Sequence, residues 1–229
     1  MIVCLLAWAA QQLIAQQSTQ RTADLHGRVE LPHLDKPNRH VAFVVWLTPA
    51  GNAPQPAPRP PGRFTLVQKN RMFSPHLLVI PVGSTVSFPN QDPFFHNVFS
   101  LFNGRRFDLG LYEAGSTKEV VFSREGVSYI FCNIHPDMSA VVISLSTPFF
   151  AIGDNSGEFT IHDAPPGDYE LHAWVEGMPQ PVAESITRRV HLSADGPNNE
   201  VIDASHAASQ SKDHLNKFGK PYDRDVKPY

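Results

Sequence analysis

The chain has 229 residues, 41% of them hydrophobic and 18% charged, which supplies a packed core and excludes wholesale disorder. A formal net charge of -3 excludes the basic footprint of a nucleic-acid-binding protein. With 21 prolines, 15 phenylalanines and two cysteines, Cys4 and Cys132, the composition suits short strands and turns; a helical bundle or a multi-disulfide scaffold is not indicated.

Residues 2–15 are mostly apolar and run into the polar stretch Gln16-Gln17-Ser18-Thr19-Gln20. This is short for a bilayer span and suits the apolar centre of a secretory signal, although no Lys or Arg precedes it; a buried N-terminal helix is the bland alternative. A signal peptide over 1–16, cleaved after Ala9 or near Ala15, predicts a periplasmic or otherwise exported protein. No later segment is long and apolar enough to form a stable membrane span. Cys4 leaves with the signal, so Cys132 remains as a single thiol in an oxidising compartment, where something must hold it.

Strands are expected over 26–31 and 41–47, joined by the turn-rich run from Pro32 to Asn38. Five prolines between Asn52 and Gly62 then make an extended, semi-rigid connector. Seven strands follow, over 65–69, 77–81, 85–88, 96–100, 118–122, 127–132 and 140–145. Gly83, Pro89-Asn90, Asn103-Gly104, Gly115 and Gly126 punctuate them, a spacing that argues for an antiparallel sandwich. Further strands are expected near 158–162, 168–175 and 187–192, turned by Asp154-Asn155-Ser156-Gly157 and Ala164-Pro165-Pro166-Gly167. Past Ser193 apolar content falls, and 197–229 reads as a surface or disordered tail with at most a weak helix over 200–218. No internal repeat is present.

The chemistry is concentrated in Tyr129-Ile130-Phe131-Cys132-Asn133-Ile134-His135-Pro136-Asp137-Met138, where a strand ends at Cys132 and a short loop then carries an imidazole and a thioether. Upstream, Phe88-Pro89-Asn90-Gln91-Asp92-Pro93-Phe94-Phe95-His96-Asn97-Val98 offers a second imidazole at the start of another strand. Two His, one Cys and a weak axial Met are the donor set of a blue-copper electron-transfer site. Zinc is the rival metal, but structural zinc sites close with four Cys or His ligands, and Met is a poor fourth. Taken singly, Cys132 reads as a small hydrophobe, His96 as a hydrogen-bonded core histidine and Met138 as a gap filler; the force of the pattern lies in the combination. Phe94 and Phe95 are either core or a dry docking patch beside His135. The other histidines, and the pairs Arg105-Arg106 and Arg188-Arg189, read as structural or solvated.

In these residues the sequence resembles the small blue copper proteins, plastocyanin and especially amicyanin. Phe73-Ser74-Pro75, Val82-Gly83-Ser84-Thr85-Val86, Phe88-Pro89-Asn90, His96-Asn97-Val98 and the short Cys132–Met138 loop fall in that family's order. The resemblance implies a Greek-key cupredoxin sandwich over 63–146 with copper held by His96, Cys132, His135 and Met138. It also implies that Asn97 ties the two ligand stretches together, through backbone and side chain, and steadies the cysteine sulfur. Asp137 departs in character, since a neutral residue is usual there. The flanks, Gly27-Arg28-Val29 with 41–47 and 154–161 with 165–174, resemble the carboxypeptidase regulatory-like module, a transthyretin-like sandwich. Each half has too few strands to bury a face alone. They are therefore expected to pair as one discontinuous domain, 24–62 with 147–196, around the inserted cupredoxin.

The fold expected is thus all-β, a Greek-key cupredoxin plus a second small transthyretin-like β-sandwich, of the kind described as methylamine-utilisation-like. The function expected is periplasmic electron transfer by Cu(II)/Cu(I) cycling, with transient redox proteins as donor and acceptor and no nucleic acid partner. The alternative is an exported binding module with a structural or storage copper. An enzyme is not expected: no second His cluster, HExxH motif, Ser-His-Asp order or phosphate-cradling glycine loop accompanies the site.

Overall fold

The computed structural model describes residues 21–31, 41–101, 104–178, 186–205 and 215–222. The expected signal segment, and with it Cys4, lies outside them, as do His33, His40, His206 and His214. Among the described residues there is no helix, and hence none long and apolar enough to cross a membrane. The described residues form seventeen strands: β1 (Ala23–Glu30), β2 (Phe43–Ala50), β3 (Arg63–Thr65), β4 (Val67–Lys69), β5 (Met72–Ser74), β6 (Leu77–Pro81), β7 (Thr85–Pro89), β8 (His96–Ser100), β9 (Phe107–Tyr112), β10 (Thr117–Val121), β11 (Gly126–Cys132), β12 (Ser139–Leu145), β13 (Phe150–Gly153), β14 (Glu158–Ala164), β15 (Gly167–Val175), β16 (Arg188–Leu192) and β17 (Asn199–Asp203).

The middle of the chain forms a sandwich from the sheets β10-β7-β3 and β6-β12-β11-β8-β9, with β4-β5 as a separate ribbon. The chain passes repeatedly from one sheet to the other, the crossing connectivity of a Greek-key sandwich. Between them lies a core of Leu66, Phe73, Ile80, Val86, Phe88, Val98, Tyr112, Phe122, Ile130, Cys132, Met138, Ala140 and Val142. Leu66 is fully buried where an unbroken strand over 65–69 was expected; the chain turns inward there, leaving β3 and β4 on either side.

The flanking strands form two more sheets. β1 lies between β14 and β17, and β2 lies between β13 and β15, with β16 outside. Their shared core contains Leu25, Val29, Phe43, Val45, Leu47, Phe159, Ile161, Tyr169, Leu171, Val175, Leu192 and Ile202. Gly27 is required in β1, because a Cβ there would fall 2.4 Å from the Phe159 ring and 2.5 Å from the Glu200 carbonyl. β17 falls where a tail from 197, with at most a weak helix over 200–218, was expected: residues 199–203 pair in parallel with β1. The strand was hard to see because only Ile202 of its five residues is buried. Arg188 is likewise more than solvated, since it pairs with Glu200 at 3.0 Å and donates to the Val201 carbonyl.

The two sandwiches meet along strands that are apolar on both faces. On β12, Ala140 and Val142 enter the middle core, whereas Val141, Ile143 and Leu145 face the other way, onto Val44 and Trp174. The same alternation runs along β2, where Phe43, Val45 and Leu47 point into their own core and Val44 into the joint. Trp174 Nε1 donates to the Tyr129 hydroxyl at 3.0 Å, so the buried indole is not left unpaired. At one end His76 contacts Glu176 at 3.1 Å.

Burial of this kind couples the stabilities of the two sandwiches. Trp174→Ala is expected to cost about 3–5 kcal/mol. It should also split a single calorimetric unfolding transition into two; an unsplit transition at the wild-type temperature refutes the coupling.

Candidate metal centre

β8 and β11 are neighbours, and their register sets Cys132 opposite Val98. His96 lies two residues from Val98 on the same strand face, within diagonal reach of Cys132. His135 returns from the loop that follows Cys132. Cys132 Sγ consequently lies 3.5 Å from His96 Nδ1 and 3.5 Å from His135 Nδ1, with the imidazole centroids 4.9 Å apart. The three donor atoms all lie within 4.8 Å of one another and all three residues are buried, a group able to hold a metal ion. Among the described residues this is the one such cluster of His, Cys, Asp or Glu.

The loop is closed by its own backbone. Cys132 N–H donates to the Met138 carbonyl at 3.1 Å, and Met138 N–H donates to the His135 carbonyl at 3.1 Å. Met138 is 1% exposed and shares the core that contains Cys132. Asp137 is exposed, so its carboxylate sits in water.

Asn97 works differently from the expectation. Its carbonyl accepts from Asn133 N–H at 3.0 Å, which does tie the two stretches together. Its side-chain amide donates instead to Asp108 Oδ1 on β9 at 2.6 Å, while Asn97 Oδ1 is buried without a partner. Burial pushes the Cys132 thiol up, and the backbone N–H groups of Asn97, Ile134 and His135 pull it back.

Asp92 is the functional residue that sequence reasoning missed. Its Oδ2 lies 2.9 Å from His96 Nε2, and its carboxylate also accepts from the N–H groups of Asn70 at 2.6 Å and Arg71 at 2.9 Å. Burial pushes the Asp92 carboxyl up, but the Arg71 N–H, the His96 ring and the Asn70 N–H outweigh it and hold it below the usual carboxylate value. An ionised Asp92 can only accept, so the proton of neutral His96 sits on Nε2 and the Nδ1 lone pair faces Cys132. The one clue in the sequence was a carboxylate four residues before the histidine, in a loop where that spacing predicts no contact.

Phe94 and Phe95 part company. Phe94 packs on both imidazoles, its centroid 5.3 Å from His96 and 5.5 Å from His135, with the Arg71 guanidinium over its ring at 5.1 Å. Phe95 is 56% exposed. Several of the remaining histidines have local partners: His26 with Thr160, His162 with Asp24, His191 with Asp168, and His172 stacked on Trp46.

Such a donor set, with one thiol sulfur that a metal ion would deprotonate and two neutral imidazole nitrogens, all buried, suits copper. Neutrality of the imidazoles is built in. Burial lowers His96 against the opposing pull of Asp92. Burial, with His96 and Arg71 adding to it, pushes His135 down to about 4. In the unfolded chain both imidazoles titrate near 6.5. As pH falls below that value the unfolded state takes up protons that the folded site refuses, so stability is lost on acidification. The unfolding free energy of metal-free protein, read by urea titration, is therefore expected to fall between pH 6.5 and 4, by up to about 3 kcal/mol for His135. His135→Gln should flatten the decline; a wild-type unfolding free energy constant over that interval contradicts the burial argument.

No protein-family model matches the sequence, and no curated protein matches it. Solved structures resemble part of it. A purple cupredoxin from Nitrosopumilus maritimus is 31% identical, with a TM-score of 0.33, over 35% of this chain and 98% of its own. The copper-containing nitrite reductase of Thermus scotoductus is 24% identical, with a TM-score of 0.35, over 44% of this chain and 25% of its own. An oxidized amicyanin variant is 18% identical, with a TM-score of 0.34, over 36% of this chain and 81% of its own. The structural neighbours of this chain are thus cupredoxins and a copper enzyme.

Proposed function

We propose that this chain is an exported blue-copper electron-transfer protein, with His96, Cys132 and His135 as copper ligands and Met138 as a weak axial ligand. The observation that carries the reading is the convergence of one thiol and two imidazole nitrogens within 4.8 Å, from stretches 36 residues apart. Copper supplies a single-electron change of charge between its two common oxidation states. The residues of the chain do the rest. Asp92 holds His96 in the tautomer that presents Nδ1, three backbone N–H groups stabilise the Cys132 anion, and Phe94 keeps water from the imidazole faces. The exposed Phe95, next to His96 in sequence, is an apolar contact for a transient redox partner, for which a small, wet interface suffices. A carrier of this kind needs no substrate pocket.

The flanking sheets are proposed to be a carboxypeptidase regulatory-like domain built from 24–62 and 147–196, with β17 added from the segment beyond. Its presence motivates a second reading, an exported binding module in which copper is structural or stored.

Copper-loaded protein is expected to show intense visible thiolate-to-copper absorption that disappears in Cys132→Ser, and a colourless Cu(II) complex of the wild type overturns the proposal. Asp92→Ala is expected to weaken copper binding by about 10- to 100-fold, read by competition with a chelator. Cyclic voltammetry separates the two readings: fast reversible reduction supports the carrier, and sluggish or absent reduction supports storage.

A further inference from the structure

Residues 215–222 end against the loop that carries the proposed ligands. Tyr222 Oη donates to the Cys132 carbonyl at 2.7 Å, and Lys217 N–H donates to Asn133 Oδ1 at 2.9 Å. The Lys217 ammonium contacts Asp108 Oδ2 at 2.8 Å, and the other oxygen of the same carboxylate accepts from the Asn97 amide. One short segment therefore reaches both stretches that supply donor atoms: Cys132 and Asn133 directly, and the His96-Asn97 stretch through Asp108.

The segment is preorganised for this. Gly219 N–H donates to the Asn216 carbonyl at 2.9 Å, Asn216 N–H donates to the Lys220 carbonyl at 2.8 Å, and Asn216 Oδ1 accepts from the N–H groups of Phe218 at 2.9 Å and Lys220 at 3.1 Å. Apolar burial does not account for its position, since Leu215 is 52% and Phe218 71% exposed. Directional polar bonds seat it, and they converge on the ligand loop.

We propose that Lys217 and Tyr222 are positioning residues for the metal donors, a clamp that fixes the Cys132-Asn133 backbone relative to β8. The ligand part of this inference rests on the copper reading above. Cys132 Sγ is separated from the clamped carbonyl only by Cβ and Cα, so the bond from Tyr222 fixes the stretch of backbone from which the sulfur projects. The Asp108 link passes the same restraint to Asn97, whose own carbonyl accepts from Asn133 N–H at 3.0 Å.

The test uses the full chain with Tyr222→Phe, Lys217→Ala and Lys217→Arg. In metal-free protein, amide hydrogen exchange over 133–138 is expected to quicken about fivefold in Tyr222→Phe and in Lys217→Ala, the effect of one lost hydrogen bond. Lys217→Arg should restore the wild-type rate, and exchange in β14 should not change. In the copper-loaded chain, Tyr222→Phe and Lys217→Ala are expected to shift the thiolate-to-copper band and the reduction potential, with Lys217→Arg close to wild type. Unchanged exchange over 133–138 overturns the clamp, and quickened exchange with unmoved band and potential overturns its role in positioning the ligands. Should the wild type take up no copper, the metal reading fails while the exchange measurement still decides the clamp.

Discussion

Everything at the site depends on a buried sulfur being held between two imidazoles in a place that suits neither a thiolate nor an imidazolium by itself. Burial raises the thiol and lowers both rings, so without a cation the low-energy arrangement is fully neutral. A metal ion changes that balance by replacing the thiol proton, and the backbone N–H groups of Asn97, Ile134 and His135 already oppose the effect of burial on that sulfur. The pocket is organised for an occupant that brings positive charge. Its donors of mixed softness, two nitrogens and a sulfur, narrow that occupant to copper more than to the oxygen-seeking cations.

The same geometry explains why the chain commits so much structure to so small a site. The ligand loop is anchored at both ends. At its start, Tyr222 and Lys217 engage Cys132 and Asn133. At its end, His76 contacts the Ser139 carbonyl through Nδ1 and Glu176 through Nε2. Glu176 belongs to the flanking sandwich, where its N–H donates to the Ala42 carbonyl and its carboxylate accepts from Ala42 N–H. The two-faced strands β12 and β2 then make the joint a continuous apolar layer. The second sandwich thus acts as a buttress for the sheet that carries Cys132.

Much of this was legible in the sequence because its signals are local or compositional. The Cys132-to-Met138 spacing lies within one loop, and the β-branched apolar run over 140–145 marks a strand directly. What escaped notice was of two physical kinds. Edge strands such as β13 and β17 bury few side chains, so their hydrophobic pattern is thin, and in β9 Gly110 interrupts it further. Contacts made by loops were also invisible: Asp92 reaches His96 only because its loop is folded back by Asn90, Asn70 and Arg71. Asn97 shows the limit of arguing from resemblance. Its backbone does what the family pattern implies, but its side chain follows the local opportunity offered by Asp108.

An electron carrier works best when its ligands move little as the metal changes charge, which requires the protein to hold each donor independently of the ion. Each proposed donor here has such a second hold. Asp92 fixes the ring of His96, and Phe94 packs against both imidazoles. The Cys132 backbone is pinned through its N–H by Met138 and through its carbonyl by Tyr222. Met138, bonded through its backbone to both Cys132 and His135, cannot shift without disturbing the other two loop donors. A storage site gains nothing from restraints of this density, because it must open to release its ion. Their number, more than the identity of the donors, favours the carrier over the store.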